Sequence, residues 1–256
     1  MCVTQNITSH RSSRLTPFAD GSGGYVRACQ ELDLLRKEGL IKAVGGAHSR
    51  LKKRCRRCEH PPSPVTTLAV TNMDVKRLRE VMDAHVPIVS NQVQYSLLDR
   101  RPENGLLAFA KQRNVKLLAY GSVAGGLLSD AWFGVPPPTR AQLATASLRM
   151  YSASLSLWCG SDWALFQELL AACKDVGARH GGAPIAAVAV RYVLDALDAE
   201  GAGGSAIIGV RGTKYVAQTE AALKFKLAPE DLAQLRAVLR KGAAPVGDVY
   251  SRERGE

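Results

Sequence analysis

Four short stretches carry side chains that could do chemistry together. Thr71-Asn72, Asn91-Gln92, Tyr120-Gly121-Ser122 and Gly209-Val210-Arg211 each close an apolar, strand-like run. Asn and Gln amides offer one donor side and one acceptor side, which pairs with a carboxamide. A tyrosine can stack on a planar ring. Glycine-rich turns that lead into helices favour phosphate. Together the set suits a nicotinamide dinucleotide. Taken singly each residue has a plainer reading. Asn91-Gln92 could cap a turn, Tyr120 could fill a core, and Arg211 could be a solvated loop residue.

These residues need a scaffold that brings strand ends to one place. A stripe of Val26, Cys29, Leu32, Leu34 and Leu35 predicts a helix from Tyr25 to Glu38, stopped by Gly39. Ile41 to Val44 reads as a buried strand. A helix entered at Asn72 or Asp74 carries Val75, Leu78, Val81 and Met82 inward. Ile88 to Asn91 is a short strand, Leu106 to Ala110 marks a helix, and Val115 to Tyr120 is a further strand. A long irregular connection containing Pro136, Pro137 and Pro138 follows. Helices are expected around Trp163 to Val176 and from Pro184 to Leu197, with Ser205 to Gly209 as a strand between these and two closing helices. The last helix runs from Pro229 to Arg240. Alternating apolar strands and helices give an α/β chain with a parallel sheet. In a parallel barrel the C-terminal strand ends share one mouth, where ligands bind.

Composition narrows the classes. The 256 residues carry a net charge of +11, which raises nucleic acid or anionic ligands as partners. Much of the charge sits between Gly45 and Leu68, where Arg50, Lys52, Lys53, Arg54, Arg56 and Arg57 face Glu59 alone. This charge comes without interleaved aromatics, so no nucleic-acid partner is expected. Cys55 and Cys58, with His48 and His60, have the flavour of a zinc site. A second pair at workable spacing is missing, and Cys58-X-His60 is too tight, so no metal is expected. No apolar run reaches the length of a membrane helix. The start, MCVTQNITSHRSSRLTPF, lacks a secretory core and is faintly like an organelle transit peptide. A cytoplasmic or plastid protein with reduced thiols is expected.

Larger blocks carry a resemblance. SNQVQYSLLDRRPENGLLAFAKQRNVKLLAYGSVAGGLLSD (90–130) resembles the aldo-keto reductases. So do EGLIKAV, PIAAVAVRYVLD, SAIIGVRGTKYVAQTEAALKFKLAPEDLAQL and the closing GDVYSRER, all in the right order. The resemblance implies an eight-stranded (β/α) TIM barrel that reduces an aldehyde or ketone with NADPH, here present as strands 5–8 with their helices. It implies that Thr71, Asn72 and Gln92 hold the nicotinamide carboxamide and that Tyr120 stacks on the ring. Gly121, Ser122 and Val123 would lie beside the pyrophosphate, and Arg211 in the loop that meets the 2′-phosphate. Gln218 and Thr219 depart from the Glu and Asn usual for the adenine.

The catalytic Asp, Tyr, Lys and His of that family belong to its first four strands. No match to them occurs in this sequence, and none of the histidines at 10, 48, 60, 85 and 180 has the strand-ending setting. The chain as written is therefore expected to lack turnover. Residues 1–24 are expected to form a disordered tail, and 25–256 a partial barrel. Within it 45–68 would be a basic, Cys- and Pro-containing insertion splitting the fifth strand, as a retained intron or a genuine insert. Removing 45–68 would join Val44 to Ala69 in one strand. Open barrel edges and an apolar interior face would favour self-association. Two other readings stand beside the enzyme: a non-catalytic interaction protein with a residual NADP surface, and a nucleic-acid or zinc module in the insert.

Overall fold

The structure is a computed structural model that describes residues 24–38, 44–45, 68–199, 201, 203–210 and 212–255. The tail 1–23, nearly all of the basic stretch 45–68, and Arg211 lie outside the described residues. The elements run α1 (Gly24–Lys37), β1 (Val44–Gly45), β2 (Leu68–Thr71), α2 (Val75–Asp83) and β3 (Ile88–Gln94). Then come α3 (Leu106–Arg113), β4 (Lys116–Tyr120), α4 (Ala146–Cys159), α5 (Trp163–Arg179) and α6 (Ile185–Ala199). The chain closes with β5 (Gly204–Ile207), α7 (Val216–Ala221) and α8 (Pro229–Leu239).

The five strands form one parallel sheet in chain order. Each return from a strand end to the next strand start is a crossover, usually a helix, as parallel pairing demands. The helix ends follow their local chemistry. The Asp74 carboxylate accepts from the Arg77 amide at 2.8 Å and starts α2, Asp162 accepts from Leu165 at 3.0 Å and starts α5, and Asn114 ends α3 in the left-handed region at φ 53°.

Two sequence expectations are corrected here. Val44 lies opposite Leu68, and Gly45 opposite Ala69, as neighbouring parallel strands. The two ends of the basic stretch therefore stand side by side rather than end to end in one strand. The irregular connection after β4 also contains α4. Its sequence, ASLRMYSASLSLWC, is serine-rich, but Tyr151, Leu155 and Trp158 recur at helical spacing and are buried. The Thr145 hydroxyl caps it on the Leu148 amide at 3.1 Å.

The sheet has two unlike faces. Val70, Asn91, Val93, Leu117 and Ala119 point into the main core and are buried. The register puts Thr71, Gln92 and Leu118 on the other face, together with Ser90, Gln94, Tyr120 and Ser205. These residues are half-buried or exposed, not covered as in an ordinary parallel sheet. That face is mostly polar, which corrects the expected apolar interior. Beyond β5 no further strand pairs among the described residues, and Ile207 and Val210 are exposed there.

Candidate functional site

The site grows from the ends of β2, β3 and β4. β2 gives way to Asn72, which adopts the left-handed conformation at φ 57° that Asn tolerates better than most residues. The Asn72 amide donates to the Gln92 carbonyl at 2.8 Å, so it extends the β2–β3 ladder by one bond. The Tyr120 hydroxyl reaches past β3 and donates to Asn72 Oδ1 at 3.1 Å. Burial pushes the Tyr120 phenol well above its ordinary pKa, against the lowering effect of this hydrogen bond. It remains a donor at neutral pH. Asn72 Nδ2 has no partner among the described residues, so a donor is left over for a ligand.

Asn91 belongs to a different job. It is fully buried, its Nδ2 donates to the Met73 carbonyl at 2.7 Å, and its Oδ1 accepts from the Met73 amide at 3.3 Å. Both sides of the amide are spent on the turn that follows Asn72. The plain reading of Asn91 is therefore the right one, and it supports Asn72 from beneath. Gln94, one step further along the open face than Gln92, donates through Nε2 to Ser154 Oγ of α4 at 3.0 Å.

After Tyr120 the chain turns at Gly121, φ 72°, and at Gly125 and Gly126, φ 66° and 104°. The Tyr151 ring of α4 lies against this loop. A Cβ on Gly121 would stand 2.6 Å from the ring, and one on Gly125 would stand 2.8 Å from it. Glycine is required there both by sign of φ and by contact. Burial, then the charge of Asp99, pushes the Tyr151 phenol up to about 12. The Ser122 hydroxyl is buried and has no partner among the described residues. Leaving such a group unpaired costs about 1–3 kcal/mol. A phosphate oxygen beside the loop would satisfy it.

The C-terminal segment closes on this mouth. Arg254, almost wholly buried, donates to the Asn72 carbonyl at 3.1 Å and to Asp74 Oδ2 at 2.5 Å. Asp248 Oδ2 accepts from the Val75 amide at 3.2 Å. Glu253 holds Arg101 through two bonds of 2.8 Å, while Asp99 holds the same guanidinium at 2.7 and 2.9 Å.

Thus Thr71, Asn72, Gln92 and Tyr120 come together at one mouth, with Gly121, Ser122 and Val123 in the loop beside it. Arg211 lies outside the described residues. Gln218 is exposed, and Thr219 donates to the Tyr215 carbonyl at 3.0 Å. Among the described residues no group of His, Cys, Asp and Glu is arranged to hold a metal. Tyr151 and Arg254 were not among the sequence candidates.

The family match and one solved structure agree with this architecture. The aldo/keto reductase family model matches residues 64–240. The chain belongs to the aldo/keto reductase family. Among curated proteins it is similar to flagellar radial spoke protein 5 of Chlamydomonas reinhardtii, 33% identical over 136 residues, which are 53% of this chain and 25% of that protein. Among solved structures it is similar to a glycerol dehydrogenase from Gluconobacter oxydans, with 18% identity and a TM-score of 0.61 over 87% of this chain and 56% of that one. An aldo-keto reductase from Bacillus halodurans is similar over 75% of this chain and 54% of that one, at 19% identity and a TM-score of 0.47. The chain spans a quarter of the curated relative and little more than half of these structures. No described helix is long and apolar enough to cross a membrane.

Proposed function

We propose that the chain supplies the nicotinamide-dinucleotide side of an aldo/keto reductase-type oxidoreductase. The observation that carries this reading is the Tyr120–Asn72 hydrogen bond across β3, made at the ends of strands whose uncovered face is polar. In this reading Thr71, Asn72 and Gln92 hold the carboxamide. Asn72 Nδ2 donates to its oxygen, because Asn72 Oδ1 already accepts from Tyr120. The Tyr120 ring supplies the stacking surface. Ser122 and the glycine turn meet the pyrophosphate. The dinucleotide would supply hydride for reduction of an aldehyde or ketone. The choice of NADP rests on the family and on Arg211 as the expected phosphate contact.

Carbonyl reduction also needs a proton donor placed at the carbonyl oxygen. Tyr120 does not fill that role here, because its proton is engaged with Asn72. The chain alone is therefore expected to bind NADPH without consuming it. The test is a titration of NADPH into the pure chain, followed by addition of an aldehyde. Saturable binding with no loss of absorbance at the reduced-cofactor band supports the reading. Turnover would contradict the assignment of roles, and absence of binding would contradict the site.

The likeness to a radial spoke protein favours a second reading, in which this half-barrel acts as an assembly module. The open edge at β5, with Ile207 and Val210 exposed, is the surface such a role would use. The isolated chain should then self-associate through that edge. A monomer at all concentrations by light scattering would count against it.

A further inference from the structure

A second concave site is lined by none of the residues assigned to the dinucleotide. The turn after β3, the end of α4 and the chain on either side of Pro245 enclose a crevice of about 170 Å³. Its walls include Leu98, Leu157, Trp158 and Val246. Leu157 and Val246 are exposed and supply most of its apolar surface, while Leu98 and Trp158 are buried beneath, the indole Nε1 spent on the Leu239 carbonyl at 3.1 Å.

Charge at this crevice is lopsided. Arg100, Arg101 and Arg252 line it, with Asp99 as its acid. Asp99 is committed to Arg101, whose remaining donors go to Glu253. That leaves Arg100 and Arg252, neither of which forms an ion pair among the described residues. Arg100 is close enough to the hydroxyls of Tyr95 and Tyr192 to act on them, and Arg252 acts likewise on Glu253. Those groups are already bonded elsewhere: both tyrosines donate to Glu103, and Glu253 holds Arg101. Two guanidiniums without an ion pair among the described residues thus line a crevice of mixed polarity.

We propose that this crevice binds a small organic carboxylate with an apolar body about the size of one ring. A guanidinium fork matches the two oxygens of a carboxylate. An enclosed apolar cavity of about 150 Å³ takes a benzene ring, and this crevice has a similar volume but is open on one side and partly polar. The pocket is therefore sized for a single ring beside Trp158 and Leu98, with its carboxylate toward Arg100 and Arg252. The site lies outside the proposed cofactor contacts, so it stands or falls independently of them.

Benzoate is the probe. It is titrated into the full chain without nucleotide, by calorimetry and by tryptophan emission. Saturable one-to-one binding is expected, weakened by added salt. Benzyl alcohol, which has the ring without the charge, should not bind. Inorganic phosphate, which has charge without the ring, should bind at least tenfold more weakly. The R100Q/R252Q double variant should lose at least tenfold in affinity with its fold intact by circular dichroism, since neither arginine forms an ion pair among the described residues. W158F should keep calorimetric binding and lose the emission change. If the double variant unfolds, R252Q alone decides, because Arg252 is exposed. No saturable benzoate binding, equal binding to the arginine variants, or phosphate binding as tight as benzoate would each overturn the proposal.

Discussion

Arg254, two residues from the end of the chain, donates through Nη1 to the backbone carbonyl of Asn72 at 3.1 Å. The same guanidinium reaches Asp74 and the Val249 carbonyl. It thereby fixes both sides of the turn between β2 and α2. Asn72 sits in a left-handed conformation, and its side chain faces Tyr120. A residue 182 positions away therefore positions the residue assigned to the carboxamide.

Replacing Arg254 by Ala should remove one of the two guanidiniums that hold the buried Asp74 carboxylate, Arg77 keeping its own contact. A buried charge left with no partner costs about 3–5 kcal/mol, and the loss here should fall below that because Arg77 still pairs Asp74. A thermal melt should show a clear drop in midpoint, and NADPH affinity should fall with it. R254K keeps the charge but not the fork. It should recover part of the stability and less of the affinity. If R254A binds NADPH as tightly as the unaltered chain, Arg254 does not position Asn72 for the ligand.

Tyr120 gives a cleaner separation. Y120F keeps the ring and removes the bond to Asn72, worth about 1 kcal/mol. NADPH binding should weaken about fivefold. Y120A also removes the stacking surface, worth about 0.5–1.5 kcal/mol more for an aromatic pair. A calorimetric series on the two variants should show the larger loss in Y120A. Equal losses would mean that the ring does not contact the nicotinamide.

The loop glycine can be tested through its neighbour. G121A places a methyl against the Tyr151 ring and in an unfavourable φ region. A loss of about 1–3 kcal/mol is expected. Removing the ring with Y151A in the same chain should recover part of that loss, which a double-mutant cycle measures. Additive losses would mean that the Gly121–Tyr151 contact is not what demands glycine.

Glu253 sets a pH dependence. Burial pushes its carboxyl up, but the bonds and charge of Arg101 outweigh burial and hold it below the ordinary glutamate range. A lowered folded-state pKa contributes stability that is fully present above the unfolded value, about 4.3. It is lost as pH falls through the lower folded value. The C-terminal segment should therefore release Arg101 only in acid below about pH 4. In a series of melts across that range, E253Q should have a flatter acid limb than the unaltered chain. Parallel limbs would contradict this account.

Some of this site was legible in the sequence. Thr71 and Tyr120 end apolar strands, Asn72 follows β2 directly, and Gln92 lies two residues before the end of β3. The sequence pattern thus located these candidates at or near strand ends that parallel pairing carries to one mouth. The period of α2, α3, α5, α6 and α8 is plain in their apolar residues. α4 was hidden because serines dilute its stripe of Tyr151, Leu155 and Trp158. The pairing of Val44 with Leu68 was hidden because two short apolar runs read equally well as one strand or as neighbours. Asn91 and Gln92 look alike in a sequence, yet strand alternation sends one into the core and the other to the open face. The Arg254–Asn72 bond depends on how the chain closes in space, which no local pattern encodes. The GDVYSRER block marked the segment as characteristic of the family without revealing what it touches.

The most direct test of the central claim is a calorimetric titration of NADPH into the chain, repeated with N72A. Saturable one-to-one binding that weakens at least fivefold in N72A, with its fold intact by circular dichroism, is the expected result. Binding that is absent in the unaltered chain, or unchanged in N72A, would contradict the assignment of this strand-end mouth as the dinucleotide site.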